Sequence, residues 1–565
     1  MERGDRLVAA RAATAWPARI GWAVAAAVPL GFLALFFVWP VLALVLTGVT
    51  EGGSADAPGI WTVLAEQRTW SVIGQTLAQA TLGTALSLAL GLSPAVGLYR
   101  LEFRGRGVLR ALATVPFVLP TVVVGVAFTA LFGPGAPLAA LGLDRTLTVI
   151  VLALAFFNVT VVMRTVGGFW SQLDPRSAQA ARMLGASPAR AWATITLPAL
   201  MPAIASAAAL VFLFCATAFG VVLVLGGREF SNVETEIYRL TVQFLDLRSA
   251  AVLSLVQFAI VGAALLVSTR LRRRRERAVP LRYVGRGPRP TRAHIWVIGV
   301  YAATALLLHA LPILALVGSS LRGADGSFTF MHYVHLVVPP DRARLQGSVL
   351  EAGWLSLQAA TVAPALAMVL GVLTALVASR RPRSPVLARA VEVFDGFVML
   401  PLGVSAVTLG FGLLLTMHRP LGIGFDLRTS VVLIPIAQAL IALPLVVRTL
   451  LPVLRGIDPK LREAASLLGA SPLRVLASID LAMLGRSAGL ALGFAFAISL
   501  GEFGATAFLV RPDAQTLPVL IAELIGRQGA ENYGMALAAA VILGVLTAGV
   551  MLLAERWRTD AAAEW

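Results

Sequence analysis

The sequence predicts an all-α polytopic membrane protein that crosses the bilayer about 12 times in two repeated halves. Hydrophobic residues make up 58% of the 565 residues and charged residues only 13%, whereas soluble domains carry roughly a quarter charged residues. Apolar runs of about 20 residues, long enough to span hydrocarbon, recur along the chain. Inside lipid such runs must be helical, because only a helix satisfies its own backbone polar groups there. A polar segment at residues 174–198 is repeated at residues 458–482.

The formal net charge of +17 comes from arginines in short stretches between the apolar runs. This distribution is typical of cytoplasmic loops, which carry an excess of basic residues. A basic patch interleaved with aromatic residues, the signature of a nucleic-acid surface, is not evident. We therefore expect the lipid bilayer, and not nucleic acid, as the partner of the basic residues. The single cysteine, Cys215, lies in an apolar run and is interpreted as a buried thiol.

The first half begins with an arginine-containing tail that the charge rule places in the cytoplasm. Residues 1–69 are interpreted as this tail, a first helix at 20–49 and an outward loop, and residues 70–270 as the first repeat. Helices are expected there at 70–99, 112–132, 147–169, 201–225 and 250–269. Pro116 and Pro120 fall within the helix expected at 112–132. Neighbouring helices or water must satisfy the backbone carbonyls that these prolines leave without a partner.

Residues 271–293 form an Arg/Pro/Gly-rich cytoplasmic linker between the halves. Positive residues just inside a spanning helix are expected as an anchor, and this is the interpretation that we favour. Binding of anionic lipid is the alternative.

The second half follows the same plan. Residues 294–353 are interpreted as a helix and an outward loop, residues 354–555 as the second repeat, and residues 556–565 as a cytoplasmic tail. Helices are expected at 295–319, 354–378, 391–416, 431–450, 488–510 and 533–554. This topology places both termini and both polar segments, here called repeat loop 1 (174–198) and repeat loop 2 (458–482), in the cytoplasm.

The two repeat loops match without a gap at a constant spacing of 284 positions, as an internal repeat should. Each follows the pattern Glu-Ala-Ala, three residues, Gly, nine residues, Ile, one residue, Leu-Pro. This pattern resembles the cytoplasmic coupling motif of type I ABC importer permeases. Repeat loop 1 places it on Gln179, Ala180, Ala181 and Gly185, and repeat loop 2 on Glu463, Ala464, Ala465 and Gly469. The chain departs from the motif at Gln179, which replaces the glutamate, and at Ala482, which replaces the proline.

The resemblance implies a permease subunit of a bacterial plasma-membrane importer, with each repeat forming one ABC transmembrane type-1 domain. It implies two copies of a separate ATPase subunit, one for each repeat loop, and an extracytoplasmic substrate-binding protein. The small alanines would let a short helix lie close against the ATPase, and the glycines would allow a sharp turn. A phosphate-binding loop needs a lysine after its glycines, and Lys460 lacks such a loop. The chain is therefore not expected to be an enzyme.

The fusion of two permease halves narrows the resemblance to the thiamine and ferric-iron group. Residues 223–240 resemble the segment after the fifth helix in that group, and residues 499–526 look more like the thiamine type. We therefore expect import of thiamine or its phosphates, with ferric iron as the alternative. An ion-coupled secondary transporter with internal repeats is the alternative from another class.

Candidate pathway residues lie late in each half. Phe219-Gly220 and Phe503-Gly504 occupy equivalent positions of the two repeats, and Glu502 precedes the second pair. An ionisable residue at membrane depth is a functional candidate by default. Glu502 could line the gate or attract a cation, or it could be a structural acid that is hydrogen-bonded to a neighbour. No catalytic residue, cofactor site or metal site is expected.

Overall fold

The computed structural model describes residues 21–49, 59–275 and 289–555, apart from positions 228, 324, 341–347, 381, 383, 423 and 512. The described chain is almost entirely helical. The predicted N-terminal tail, most of the predicted linker and the C-terminal tail lie outside the described residues. The helices that position the site in the first half are α1 Gly21–Val49, α2 Gln67–Arg100, α3 Thr121–Phe132, α4 Leu147–Gln172, α5 Arg176–Met183, α6 Leu197–Ala216, α7 Gly220–Gly226, α8 Val233–Tyr238 and α9 Leu247–Arg275.

The second half contains the corresponding set, introduced by a helix that precedes its repeat. These are α10 Ile295–Ser320, α11 Val349–Ala378, α12 Ala406–Thr416, α13 Leu433–Gly456, α14 Pro459–Leu467, α15 Ala482–Gly501, α16 Thr506–Leu509, α17 Leu517–Gly526 and α18 Ala530–Glu555. Shorter helices occupy Ile60–Ala65, Arg106–Leu112, Val115–Val118, Pro188–Ala191, Met331–Val337, Pro385–Val398 and Pro472–Val475.

The predicted all-α polytopic architecture is confirmed. The described residues contain nine helices that are long and apolar enough to cross a membrane, and up to eleven if two bent pairs each count as one span. The bent pairs are Arg106–Val118 with Thr121–Phe132, which meet at 96°, and Pro472–Gly485 with Ser487–Gly501, which meet at 57°.

Several predicted helices are broken in the structure. The helix expected at 112–132 is interrupted before α3, where Pro120 takes an extended conformation with ψ 138°. The helix expected at 391–416 is divided by a 3-10 turn at Leu400–Gly403, which contains Pro401. Proline lacks the N–H that continues a helix and clashes with the preceding turn. The helix expected at 488–510 ends at Gly501, because Glu502 is extended with ψ 127°.

The repeat seen in the sequence is also a repeat in three dimensions. A π-helical stretch at Trp192–Thr196, of five residues, recurs at Leu476–Leu481, where it has six residues. The short helices α8 and α17 also begin at equivalent positions, after the break that follows each long helix. In each half a long helix packs against the helix before its repeat loop, α2 on α4 and α11 on α13.

The two halves interlock through their leading helices. The end of α1 packs against α12 of the second half, and the end of α10 packs against α3 of the first half. A Cβ on Gly412 of α12 would lie 3.1 Å from the Pro40 side chain of α1 and 3.2 Å from its carbonyl oxygen. Only a glycine allows this close helix crossing without displacement. The halves therefore form one core and not two separate bundles.

Candidate functional site

The two repeat loops fold alike. In each, an aspartate caps a short helix, with Asp174 accepting from the Arg176 N–H at 2.9 Å and Asp458 accepting from the Lys460 N–H at 3.0 Å. The helices that follow, α5 and α14, carry the predicted coupling residues Gln179, Ala180 and Ala181, and Glu463, Ala464 and Ala465. Gln179, Ala180, Glu463 and Ala464 are exposed, and the second alanine of each copy is half-buried.

The predicted glycine turns are present in both loops. Gly185 has φ +89° and Gly469 has φ +83°, in the left-handed region that favours glycine. Each glycine ends its helix in a Schellman arrangement. In the first, the Ala186 N–H donates to the Ala181 carbonyl at 3.0 Å, and in the second the Ala470 N–H donates to the Ala465 carbonyl at 3.0 Å. The carbonyl of the second alanine therefore closes the turn in both copies.

Each turn presents a pair of apolar side chains outward. Met183 and Leu184 are both 89% exposed, and Leu467 and Leu468 are both 88% exposed. Two adjacent apolar residues with this exposure, at equivalent positions of a repeat, are typical of a protein-binding surface. We call these pairs the apolar tips of repeat loops 1 and 2.

Repeat loop 2 is fixed to the transmembrane helices by an ion-pair network that sequence reasoning missed. Asp480 lies in the π-helical stretch before α15 and is 1% exposed. Its Oδ1 accepts from Nη2 of Arg462 of α14 at 2.6 Å, and its Oδ2 accepts from Nη2 of Arg380 at 2.9 Å. Arg380 follows the end of α11. One carboxylate therefore joins α14, the start of α15 and the end of α11.

This network belongs to the second half alone. The positions of repeat 1 that are equivalent to Arg462 and Asp480 of repeat loop 2 are Ala178 and Thr196. Neither side chain is charged, so the carboxylate that makes both ion pairs is absent from repeat loop 1 and the same pairs cannot form there. The two loops share a backbone conformation but differ in how they are attached to the membrane helices.

The predicted pathway residues meet at the contact between the halves. The Phe219 and Phe503 rings are stacked, with centroids 5.0 Å apart and planes at 15°. Tyr238 of α8 packs on Phe219 at 5.3 Å, and Phe508 of α16 meets Tyr238 edge-on at 5.5 Å. We call Phe219, Tyr238, Phe503 and Phe508 the central aromatic cluster. Phe219 and Phe503 are 6% and 4% exposed, so the two rings are buried at the contact between the halves.

The glycines beside the stacked rings permit this close packing. A Cβ on Gly220 would lie 2.3 Å from Oγ1 of Thr121, and a Cβ on Gly504 would lie 2.8 Å from Cβ of Ala406. Thr121 and Ala406 are the first residues of α3 and α12. The broken segments of each half therefore pack directly on the N-terminus of a helix in the same half.

Glu502 is satisfied by its own turn. Its carboxylate accepts from the backbone N–H of Ala505 at 2.7 Å and of Thr506 at 3.0 Å, and Thr506 Oγ1 donates to its carbonyl at 3.0 Å. A carboxylate in this position caps the start of α16. These hydrogen bonds favour the interpretation of Glu502 as a structural acid beside the stacked rings.

A second buried acid, Glu234 of α8, was not singled out in the sequence. It is 0% exposed and lies in a segment that follows a broken helix, where a charged residue looks like part of a loop. The repeat contained a usable signal. The equivalent segment of the second half is the apolar helix α17. This equivalence predicts that α8 lies in the protein interior, where an acidic residue is a functional candidate.

Comparison with known proteins agrees with this geometry. Residues 83–277 match the family model of the binding-protein-dependent transport system inner membrane component. The chain is 28% identical over 549 residues to the thiamine transport system permease protein ThiP of Brucella abortus (strain 2308), covering 94% of this chain and 95% of that protein. It is 28% identical to ThiP of Escherichia coli (strain K12) over 495 residues, covering 86% of this chain and 87% of that protein.

A shorter relative is more similar over the part that it matches. The molybdenum transport system permease protein ModB of Haemophilus influenzae is 35% identical over 183 residues, which cover 29% of this chain and 76% of that protein. The chain belongs to the family of binding-protein-dependent transport system inner membrane components, the type I ABC importer permeases.

Proposed function

We propose that the chain is the membrane-spanning subunit of an ATP-driven importer of thiamine or its phosphates. The observation that carries the substrate assignment is the match over nearly the full length of permeases named for thiamine transport. The fused two-repeat organisation extends over the whole of this match. The predicted ferric-iron alternative has no comparable support.

The apolar tips support docking of a separate ATPase. Burying an exposed leucine or methionine contributes about 1.5–3 kcal/mol, so each tip can hold one ATPase subunit at the cytoplasmic surface. With two loops in one chain, two ATPase copies are served by a single permease. Both termini and both loops then face the cytoplasm, and residues 70–270 and 354–555 act as the two permease domains.

The ion-pair network provides a mechanical connection through which movement of the ATPase subunits is transmitted to the membrane helices. When the two ATPase subunits close, they displace α5 and α14. Asp480 transmits the movement of α14 to α11 and α15, because the carboxylate is bonded to arginines at both ends. Since α15 leads directly to Phe503, its movement separates the stacked rings and opens the pathway. Substrate then enters from an extracytoplasmic binding protein docked on the outer loops.

The test of the substrate assignment is uptake of labelled thiamine by cells from which the gene has been deleted, in a background without a second thiamine system. We expect uptake to fall to background in the deletion strain and to return when the gene is restored. Unchanged uptake in the deletion strain would contradict thiamine as the substrate, while leaving the family assignment standing. Uptake of labelled ferric iron by the same strains would then be the next measurement.

A further inference from the structure

The carboxyl group of Glu234 lies at the junction of the two halves without a counter-charge. Its Oε2 accepts a hydrogen bond from Oγ of Ser405, the residue that caps α12 in the second half, at 2.9 Å. Its Oε1 is buried and has no hydrogen-bond partner within the described chain. The Gln257 side chain approaches the carboxyl, but Nε2 of Gln257 donates to the Ala216 carbonyl at 3.3 Å.

The fold does not require an acid at this position. The equivalent residue of the second repeat is Pro518, at the start of α17, and none of the ion pairs among the described residues includes Glu234. A buried carboxylate without a paired cation costs several kcal/mol. An ionisable group kept at such depth is most often used in function.

Glu234 is connected to the central aromatic cluster on both sides. Along α8, Tyr238 is four residues further on and therefore lies on the same helix face, with its ring on Phe219. Across the junction, Ser405 precedes Ala406, against which Gly504 packs. Gly504 follows Phe503, whose ring is stacked on Phe219. The Glu234 carboxyl is therefore linked to the central aromatic cluster both along α8 and across the junction of the halves.

We propose that Glu234 is the counter-ion for an organic cation passing the opened gate, with the faces of Phe219, Phe503 and Tyr238 as its cation–π partners. The inference rests on the proposed function, because thiamine carries a permanently charged thiazolium ring. Aromatic faces combined with a carboxylate are the usual surroundings of a quaternary nitrogen cation in proteins. A hard metal cation binds to several oxygen ligands. This site offers one carboxylate and the faces of aromatic rings, which suits an organic cation better than a metal ion.

The variant that tests the assignment is Glu234→Gln, which keeps the size of the side chain and can still accept from Ser405. We expect uptake of labelled thiamine to fall about thirtyfold or more, as when one partner of a buried charge pair is removed. Membrane abundance and co-purification of the ATPase should stay at the wild-type level. Glu234→Asp, which keeps the charge, should recover part of the uptake. The matched control is Glu392→Gln, at an exposed carboxylate of the helix Pro385–Val398, and it should transport normally.

A second pair of variants tests the aromatic part, and decides the question if Glu234→Gln does not reach the membrane. Tyr238→Phe keeps the ring face and should retain uptake, whereas Tyr238→Leu removes it and should lose most uptake. Wild-type uptake by Glu234→Gln, or equal uptake by the two Tyr238 variants, would overturn the inference while thiamine import stands. If the unaltered gene does not restore thiamine uptake, the proposed function fails, and the inference fails with it.

Discussion

Replacing both residues of the second apolar tip, in the variant Leu467→Glu/Leu468→Glu, is expected to abolish thiamine uptake. Both leucines are 88% exposed and have no apolar surroundings unless a partner covers them. Losing two buried leucines removes about 4 kcal/mol from the contact, roughly a thousandfold in affinity. The added carboxylates would also have to be desolvated to bind. The measurement is ATPase co-purification with the permease, together with uptake.

The control for this variant is Leu141→Glu, in the short helix Ala139–Leu141 on the side expected to face outward. Leu141 is also well exposed, so its substitution tests whether any added surface charge impairs the protein. We expect Leu141→Glu to bind the ATPase at the wild-type level. Full ATPase binding by the Leu467→Glu/Leu468→Glu variant would show that the second apolar tip is not the docking surface.

The second large effect is expected for Asp480→Ala, which should uncouple ATP hydrolysis from transport. The substitution leaves Arg380 and Arg462 without their shared carboxylate. Because these side chains remain 31% and 19% exposed, water can solvate them. We therefore expect the attachment of repeat loop 2 to the membrane helices to weaken by about 2 kcal/mol. This is less than the cost of removing one partner from a fully buried ion pair. With α14 detached from α11 and α15, uptake should fall at least about tenfold, while the ATPase still binds and hydrolyses ATP.

Asp395→Ala is the matched control for Asp480→Ala. Asp395 pairs with Arg455 at 3.0 Å, and these two side chains are 25% and 46% exposed. Such exposed pairs contribute about 1 kcal/mol or less. We expect Asp395→Ala to transport at close to the wild-type rate. If Asp480→Ala keeps full uptake, or if it loses ATPase binding together with uptake, Asp480 does not transmit movement in the way proposed.

The local geometry of the repeat loops could be predicted from sequence, because it is determined by residues close together in the chain. Each loop is shaped within one short turn by its Asp-Pro pair, its alanines and its glycine, Gly185 or Gly469. Each of these residues occurs at the same position in both repeat loops, which made the pattern easier to recognise. The apolar tips were not predicted, although their residues directly precede the two glycines in the sequence. Their outward orientation follows from the glycine turn.

The breaks in the membrane helices could not be predicted from hydropathy. The segment around Glu502 is apolar on both sides, and hydropathy does not detect a carboxylate that caps the next helical turn. The break before α3 had a signal in Pro120, but proline also occurs within unbroken helices such as α13, at Pro444 and Pro452. Whether a proline breaks a membrane helix depends on what the neighbouring helices offer the freed carbonyls.

The roles of Glu234 and Asp480 depend on contacts between distant parts of the chain. Glu234 meets Ser405 across 171 positions, and Asp480 meets Arg380 across 100 positions. No local pattern connects either pair. Neither acid has an acidic counterpart in the other half, since Pro518 and Thr196 occupy the equivalent positions. A comparison of the two halves would therefore have selected both acids.

The most direct test of the account is the subunit composition of the purified complex, measured by native mass spectrometry after mild detergent extraction. The central claim is that one chain supplies two equivalent docking loops. We therefore predict one permease chain bound to two ATPase subunits, with one of them lost in the Leu467→Glu/Leu468→Glu variant. A complex of two permease chains with two ATPase subunits, or a permease with no bound ATPase, would contradict this account.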